Sequence, residues 1–299
     1  MDTHRVDAPT TLVGLLRSRA ERQPDQVALR FLQNGESETE SLTFGQMDRQ
    51  ARAIGAWLRR QGAAGERVLL LHRPGLSYIT AFFGCLYAGA AAVPAYPPRN
   101  AQMMQTLGAI VTDAGAVLAL TDDFLLPRLQ ATPLAGALPI HSSEQIAEAL
   151  AEEWEDCSIA PDTLAFLQYT SGSTGLPKGV MVTHGSLMHN TTATREAMAV
   201  GEADLEVSWL PLHHDLGLIA AVFVPLCAGF PSVLMPTDAF LERPARWVQA
   251  MARYRATISG SPNFGYDLAV LKTTPEERAG LDLSAWRVAF NGAEAVRPE

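Results

Sequence analysis

Apolar positions along the chain alternate between two periods. Helical spacing runs through Gln46–Gln61, where Met47, Ala51, Ile54 and Leu58 share one face and Gly62 marks the stop. The apolar run Val68–Leu71 follows and reads as a buried strand. The same pair then repeats. Asn100 can cap a helix carrying Met103, Met104, Leu107, Ile110 and Val111 that ends near Gly115, and Val117–Leu120 reads as the next strand. Ser142 and Gln145 have capping-box spacing, which predicts a helix through Trp154. Thr163–Tyr169 predicts a strand. Pro244 stands where a first helical turn tolerates it, before Trp247, Val248 and Met251, and Thr274-Pro275-Glu276-Glu277 opens a further helix. Such alternation predicts the α/β class, with mostly parallel sheets covered by helices.

Two stretches carry no charge for long enough to suggest a membrane span, Leu76–Pro98 and Leu216–Pro236. Glycine and proline interrupt both: Gly84, Gly89, Pro94, Pro97 and Pro98 in the first, Gly217, Pro225, Gly229 and Pro231 in the second. Each therefore reads as a buried helix, a turn and a buried strand (Ala90–Ala95 and Ser232–Met235), and no membrane span is expected.

Composition narrows the picture further. The 299 residues are 47% hydrophobic, which excludes a disordered chain and allows roughly two domains. Two α/β lobes, 1–155 and 156–299, joined through the acidic stretch Ala151–Asp162, are the expected division. The net charge of −9 disfavours a nucleic-acid partner, because it repels a phosphate polymer, yet it leaves room for one nucleotide held by local backbone donors. Cys85, Cys157 and Cys227 form no C-x-x-C pair, and the apolar stretch of a signal peptide is missing behind Met1–Arg5. Both point to a cytoplasmic protein without a disulfide framework or a metal knuckle. The chain ends just after the apolar run Trp286–Phe290 and the turn-like Asn291-Gly292-Ala293-Glu294, so it reads as truncated.

The densest chemistry lies in Thr170-Ser171-Gly172-Ser173-Thr174-Gly175-Leu176-Pro177-Lys178-Gly179, directly after an apolar strand. Glycines let backbone N–H groups approach a polyanion, hydroxyls add donors, and Lys178 supplies a mobile cation. Those are the parts that bind a triphosphate. Two residues separate Gly175 from Lys178, so the Walker form does not fit, and Ser171 stands where a nucleophile elbow would need glycine.

This segment resembles the phosphate-binding signature of adenylate-forming enzymes: acyl-CoA synthetases, luciferases and peptide-synthetase adenylation domains. Leu42-Thr43-Phe44, Leu86–Pro94 and Trp209-Leu210-Pro211-Leu212-His213-His214-Asp215-Leu216-Gly217 are similar to further motifs of that family. Pro94-Ala95-Tyr96-Pro97-Pro98-Arg99, Ser259–Asp267 and Trp286–Glu299 resemble one branch, the fatty acyl-AMP ligases. The chain departs from that branch at Ser261, commonly Gly, at His213, commonly Tyr, and at Ala295, commonly Pro. The resemblance covers the front of such an enzyme and implies its large N-terminal domain, without the small C-terminal lid and its catalytic lysine.

The resemblance implies a reaction and its residues. A fatty acid carboxylate attacks the α-phosphorus of ATP, giving acyl-AMP and pyrophosphate, and the acyl group then passes to the phosphopantetheine thiol of an acyl carrier protein. Thr170, Ser171, Gly172, Ser173, Thr174, Gly175 and Lys178 would hold the phosphates with Mg²⁺. His214 would act with Lys178 in catalysis, as gate and donor beside the carboxylate; its bland alternative is a hydrogen-bonded histidine next to Asp215. Asn291, Gly292, Ala293 and Glu294 would form the adenine and ribose wall. Asp215, Gly217, Ile219, Ser261 and Asn263 would border the acyl pocket, although Asn263 can equally sit in a first helical turn. An acyl-CoA ligase and a non-catalytic nucleotide-binding module are the competing readings.

Overall fold

The computed structural model describes residues 9–171 and 177–297. It contains two six-stranded sheets. The strands are β1 (Val27–Leu32), β2 (Glu38–Thr43), β3 (Arg67–Leu71), β4 (Ala91–Pro94), β5 (Ala116–Thr121), β6 (Ile140–Ser142), β7 (Leu164–Ser171), β8 (Pro177–Thr183), β9 (Glu206–Ser208), β10 (Ser232–Leu234), β11 (Ile258–Ser261) and β12 (Val288–Asn291). One sheet has the order β12-β11-β9-β10-β1-β2 and the other β6-β5-β3-β4-β7-β8. Every neighbouring pair is parallel except β1–β2 and β7–β8. The expected α/β class with mostly parallel, helix-covered sheets is what the chain adopts.

Local chemistry explains most element ends. The Thr43 hydroxyl accepts from the Gln46 N–H, and the Gln46 side chain accepts in return from the Thr43 N–H, so a capping box starts helix Phe44–Arg60. Asn100 accepts from Met103 N–H and starts helix Ala101–Ala114, which ends where Gly115 turns left-handed at φ 60. Leu76–Ala88 is buried on nearly every face, because it lies between the two sheets. That position explains an uncharged stretch without a bilayer, and among the described residues no helix is long and apolar enough to cross a membrane.

Two expectations change. The division into lobes at 155/156 does not follow the sheets: β1 and β2 join β9–β12, while β7 and β8 join β3–β6. One apolar core holds residues of both sheets, including Leu29, Leu70, Phe166 and Leu234. The helix expected from Ser142 to Trp154 is broken into two 3₁₀ turns, Ser143–Gln145 and Glu148–Glu153, by extended backbone at Ile146 and Ala147. Tertiary contacts override the local cap there: Ile146 packs on the core, Arg60 pairs with Glu153, and Trp154 Nε1 donates to the Tyr87 carbonyl at 2.8 Å. The acidic stretch is thus a strap on helix Phe44–Arg60, with Arg17 paired to Asp156, and Arg17 and Arg52 flank the Trp154 ring at 5.3 and 5.1 Å. Thr274 does form a capping box, but its helix is the single turn Pro275–Arg278.

Helices Phe44–Arg60 and Leu76–Ala88 cross closely enough to exclude side chains at the contact. A Cβ on Gly55 would lie 2.8 Å from Tyr87 Cβ, and one on Gly84 would overlap Ile54. Overpacking of this kind costs about 1–3 kcal/mol or more. Gly84→Val should therefore lower the denaturation midpoint by at least that equivalent, and Ile54→Ala should partly restore it; an unchanged midpoint in Gly84→Val would show that the crossing can relax.

Candidate functional site

Apart from Lys178, the described candidate residues lie at or after the carboxyl ends of strands with parallel neighbours, where open α/β sheets bind ligands. Thr170 and Ser171 finish β7, and Lys178 begins the antiparallel β8 with Thr170 directly opposite it. Gly172, Ser173, Thr174 and Gly175 lie outside the described residues. Ser171 and Pro177 are themselves a cross-strand pair. Tyr169 and Gly179 are the next cross-strand pair. A Cβ on Gly179 would meet the Tyr169 ring at 3.0 Å, so the glycine makes room for that ring. Tyr169 in turn donates its phenol O–H to Asp113 at 2.6 Å, anchoring the strand pair to helix Ala101–Ala114. Burial, and then that bond to Asp113, push the Tyr169 pKa up.

The loop Trp209–His214 leads into helix Asp215–Leu218, and His214 is its N-cap residue in extended backbone. The His214 side chain is exposed. Asp215 Oδ1 accepts from the Leu216 N–H at 2.7 Å. Gly217 lets this helix press onto the preceding chain, since a side chain there would overlap the Pro211 carbonyl. Gln168 of β7 donates from Nε2 to the His213 carbonyl at 3.0 Å and so ties the phosphate-strand candidate to the histidine loop.

The turn Asn291–Glu294 follows β12, with Ala293 in the left-handed region at φ 67. Asn263 holds it. Its Oδ1 accepts from Asn291 Nδ2 at 2.8 Å and from Arg297 N at 3.3 Å, while its Nδ2 donates to the Ala295 carbonyl at 2.8 Å. Glu294 Oε1 accepts from the Phe264 N–H at 3.2 Å, at the start of helix Asn263–Leu271. Negative charge at a helix N-terminus is favourable. A Cβ on Gly292 would meet Leu216 at 3.9 Å, which brings this turn against the residue two places after His214. The phosphate strands, the histidine loop and the adenine-wall candidate thus form one neighbourhood.

A cavity of about 530 Å³ opens beside it. Its walls come from the carboxyl ends of both sheets: His72 and Arg73 after β3, Ala95–Arg99 after β4, Phe124 and Leu125 after β5, Leu210–His213 after β9, and Met235, Thr237 and Asp238 after β10. None of the five acyl-pocket candidates lines it. Gly217 is used for close packing, Ile219 packs on the core, the Ser261 hydroxyl donates to the Pro262 carbonyl at 2.7 Å, and Asn263 clamps the turn just described. The cavity residues escape a sequence reading because five separate strand ends contribute them. The one usable signal was the extended Pro94-Ala95-Tyr96-Pro97-Pro98-Arg99 directly after a buried strand.

Burial keeps two histidines of the cavity wall neutral. Desolvation lowers His72 to about 4, against an opposing effect of Asp122, and lowers His213 to about 3, with His214 adding to it. His72 Nε2 lies 2.9 Å from Ser143 Oγ, which itself donates to the Thr121 carbonyl; with that proton committed, Nε2 is the donor of the pair. Tyr78 donates to the Leu212 carbonyl at 3.1 Å and holds the loop before His213. Among the described residues no group of three or more His, Cys, Asp or Glu side chains is placed to hold a metal ion.

The profile of the AMP-binding enzyme family matches residues 16–299. JamA of Moorena producens, a medium-chain-fatty-acid–acyl-carrier-protein ligase, is 44% identical over 97% of this chain and 50% of its own length. The long-chain-fatty-acid–AMP ligase FadD23 of Mycobacterium tuberculosis is 35% identical over 96% of this chain and 52% of its own. The crystal structure of a fatty acyl-adenylate ligase from L. pneumophila, in complex with acyl adenylate and pyrophosphate, superposes with a TM-score of 0.92 at 42% identity, over 97% of this chain and 51% of that one. The chain spans about half the length of the relatives it matches.

The neutral histidines set an acid limit on stability. His184, buried and accepting from Leu12 N–H, is likewise lowered to about 4 by desolvation. Unfolded imidazoles protonate near pH 6.5, so below that pH the unfolded chain binds more protons than the folded one. The stabilisation is complete above about pH 6.5 and lost progressively as pH falls toward the folded values, about 2 kcal/mol per histidine by pH 5. Urea unfolding at the two pH values should show this loss, and His184→Asn, which keeps an acceptor for Leu12, should shrink it. A flat profile would contradict buried neutral imidazoles.

Proposed function

Because this chain belongs to the AMP-binding enzyme family, we propose that the protein is a fatty acyl-AMP ligase, which joins a fatty acid to ATP as acyl-AMP and passes the acyl group to a carrier-bound phosphopantetheine thiol. The observation that carries the reading is the convergence of Thr170, Lys178, the His213–His214 loop and the Asn291–Glu294 turn at one set of strand ends. The likeness to a fatty acyl-adenylate ligase solved with acyl adenylate and pyrophosphate supports the same assignment.

The chemistry follows from charge. A carboxylate and a triphosphate repel, so the site must neutralise one and orient both. Lys178 and the hydroxyls of the Thr170–Thr174 segment take the β- and γ-phosphates. Mg²⁺ would supply further neutralisation when bound with the phosphates beside Thr170 and Lys178. His214, exposed at a helix N-cap, donates toward the carboxylate as it approaches the α-phosphorus. One carboxylate oxygen bonds to that phosphorus and the pyrophosphate oxygen leaves in line. The Asn291–Glu294 turn, clamped by Asn263, backs the adenine and ribose.

The cavity suits the acceptor's arm better than the fatty tail. Its inner wall is mostly apolar, but Arg73, Arg99 and Arg128 line it as well. A terminal methyl gains nothing from guanidinium groups, whereas a phosphate at the end of an extended thiol chain does. The Leu210–His213 wall leads from this cavity toward His214, where the acyl carbonyl would await the thiol. Three unbridged cysteines fit a reducing cytoplasm.

The full-length protein should catalyse ATP–pyrophosphate exchange that depends on a fatty acid. Lys178→Ala should reduce it about 100-fold, within the range for losing one preorganised charge at a developing phosphate anion. Exchange stimulated only by amino acids would refute the acyl assignment, and nucleotide binding without exchange would leave a non-catalytic module.

A further inference from the structure

An ion pair spans the mouth of the cavity. Arg99 follows β4 of one sheet, and Asp238 lies in helix Thr237–Glu242, which follows β10 of the other. Their side chains meet at 3.2 Å, and they are 70% and 74% exposed. Tyr96 stands half-exposed beside them, close enough that both charges act on its phenol. Among the described lining residues Asp238 is the single carboxylate against three guanidiniums. Arg73 is already committed: its N–H and Nε donate to the buried Asp122 at 2.8 and 3.1 Å, and its guanidinium lies 4.3 Å from the Phe124 ring centroid. Arg128, which also lines the cavity, donates to the Pro98 carbonyl at 3.3 Å.

An exposed pair of this kind contributes little to stability, so it opens at low cost. Arg99 would exchange one carboxylate for a phosphate, whose oxygens accept two parallel N–H bonds. We infer that Arg99 and Asp238 form a charge latch across the cavity mouth, and that the phosphate of a phosphopantetheine arm opens it by drawing Arg99 away from Asp238. The inference rests on the reading that the cavity receives the acceptor's arm. Asp238 is then a competitor that a ligand must displace. A neutral arm does not compete for Arg99, so only phosphorylated chains gain from the exchange.

Calorimetric titration of the chain with 4′-phosphopantetheine and with pantetheine separates these effects. Asp238→Asn should tighten phosphopantetheine about three- to fivefold and Arg99→Gln should weaken it about fivefold, both leaving pantetheine unchanged, as the size of an exposed ion pair dictates. Added salt should shrink both differences. If the two ligands shift alike, or neither shifts, the latch is wrong. Coenzyme A carries the same phosphate in another molecule. A matching response to Asp238→Asn assigns the latch to the phosphate whatever bears it, and no response confines it to the carrier's arm. Ala95→Trp and, independently, Met103→Trp fill the cavity. Binding that survives both places the arm elsewhere and overturns the acceptor reading together with the latch. Binding lost in both, with Asp238→Asn inert, overturns the latch alone.

Discussion

The close crossing of helices Phe44–Arg60 and Leu76–Ala88 is the constraint on which the rest depends. Gly55 and Gly84 allow the two backbones to approach, and the second helix is buried on almost its whole circumference as a result. One continuous apolar core then reaches from β3, β4 and β7 on one side to β1 and β10 on the other.

With the sheets locked in this way, the carboxyl ends of parallel strands from both lead to a common opening. Backbone groups at strand ends have no further ladder to join, and so remain available for ligands. Side-chain bonds then set the loops relative to one another. Gln168 holds His213, Tyr78 holds Leu212, and Asn263 and Glu294 hold the turn after β12. These bonds link parts of the chain far apart in sequence, so rigidity at the site comes from the fold as a whole and not from any single motif.

Local signals were legible. Asn100 and Thr274 cap helices as their spacing implies, and the uncharged stretch from Leu76 to Pro98 is a buried helix, a glycine turn and a strand. The candidate phosphate segment was conspicuous for its hydroxyls, glycines and Lys178, and its resemblance to a known family carried the functional reading. Long-range pairing was not legible. Nothing local places β1 and β2 in the sheet of β9–β12, because pairing partners are chosen by the shared core. The Ser142–Trp154 helix failed for a related reason, since Arg60 and Tyr87, distant in sequence, bind that segment in another conformation. The cavity was invisible because no single stretch builds it. Gly179 could be read as part of a phosphate loop, yet its structural duty is to admit the Tyr169 ring from the neighbouring strand.

The central claim is that the β7–β8 pair grips a triphosphate while the turn after β12 supports its adenine. A crystal structure of the protein with a non-hydrolysable ATP analogue tests it most directly. The account predicts β- and γ-phosphate oxygens within hydrogen-bond distance of Thr170 and Lys178, and the base lying against Gly292 and Ala293. Phosphates seated away from that strand pair, or a nucleotide bound at another face of the sheets, would contradict it.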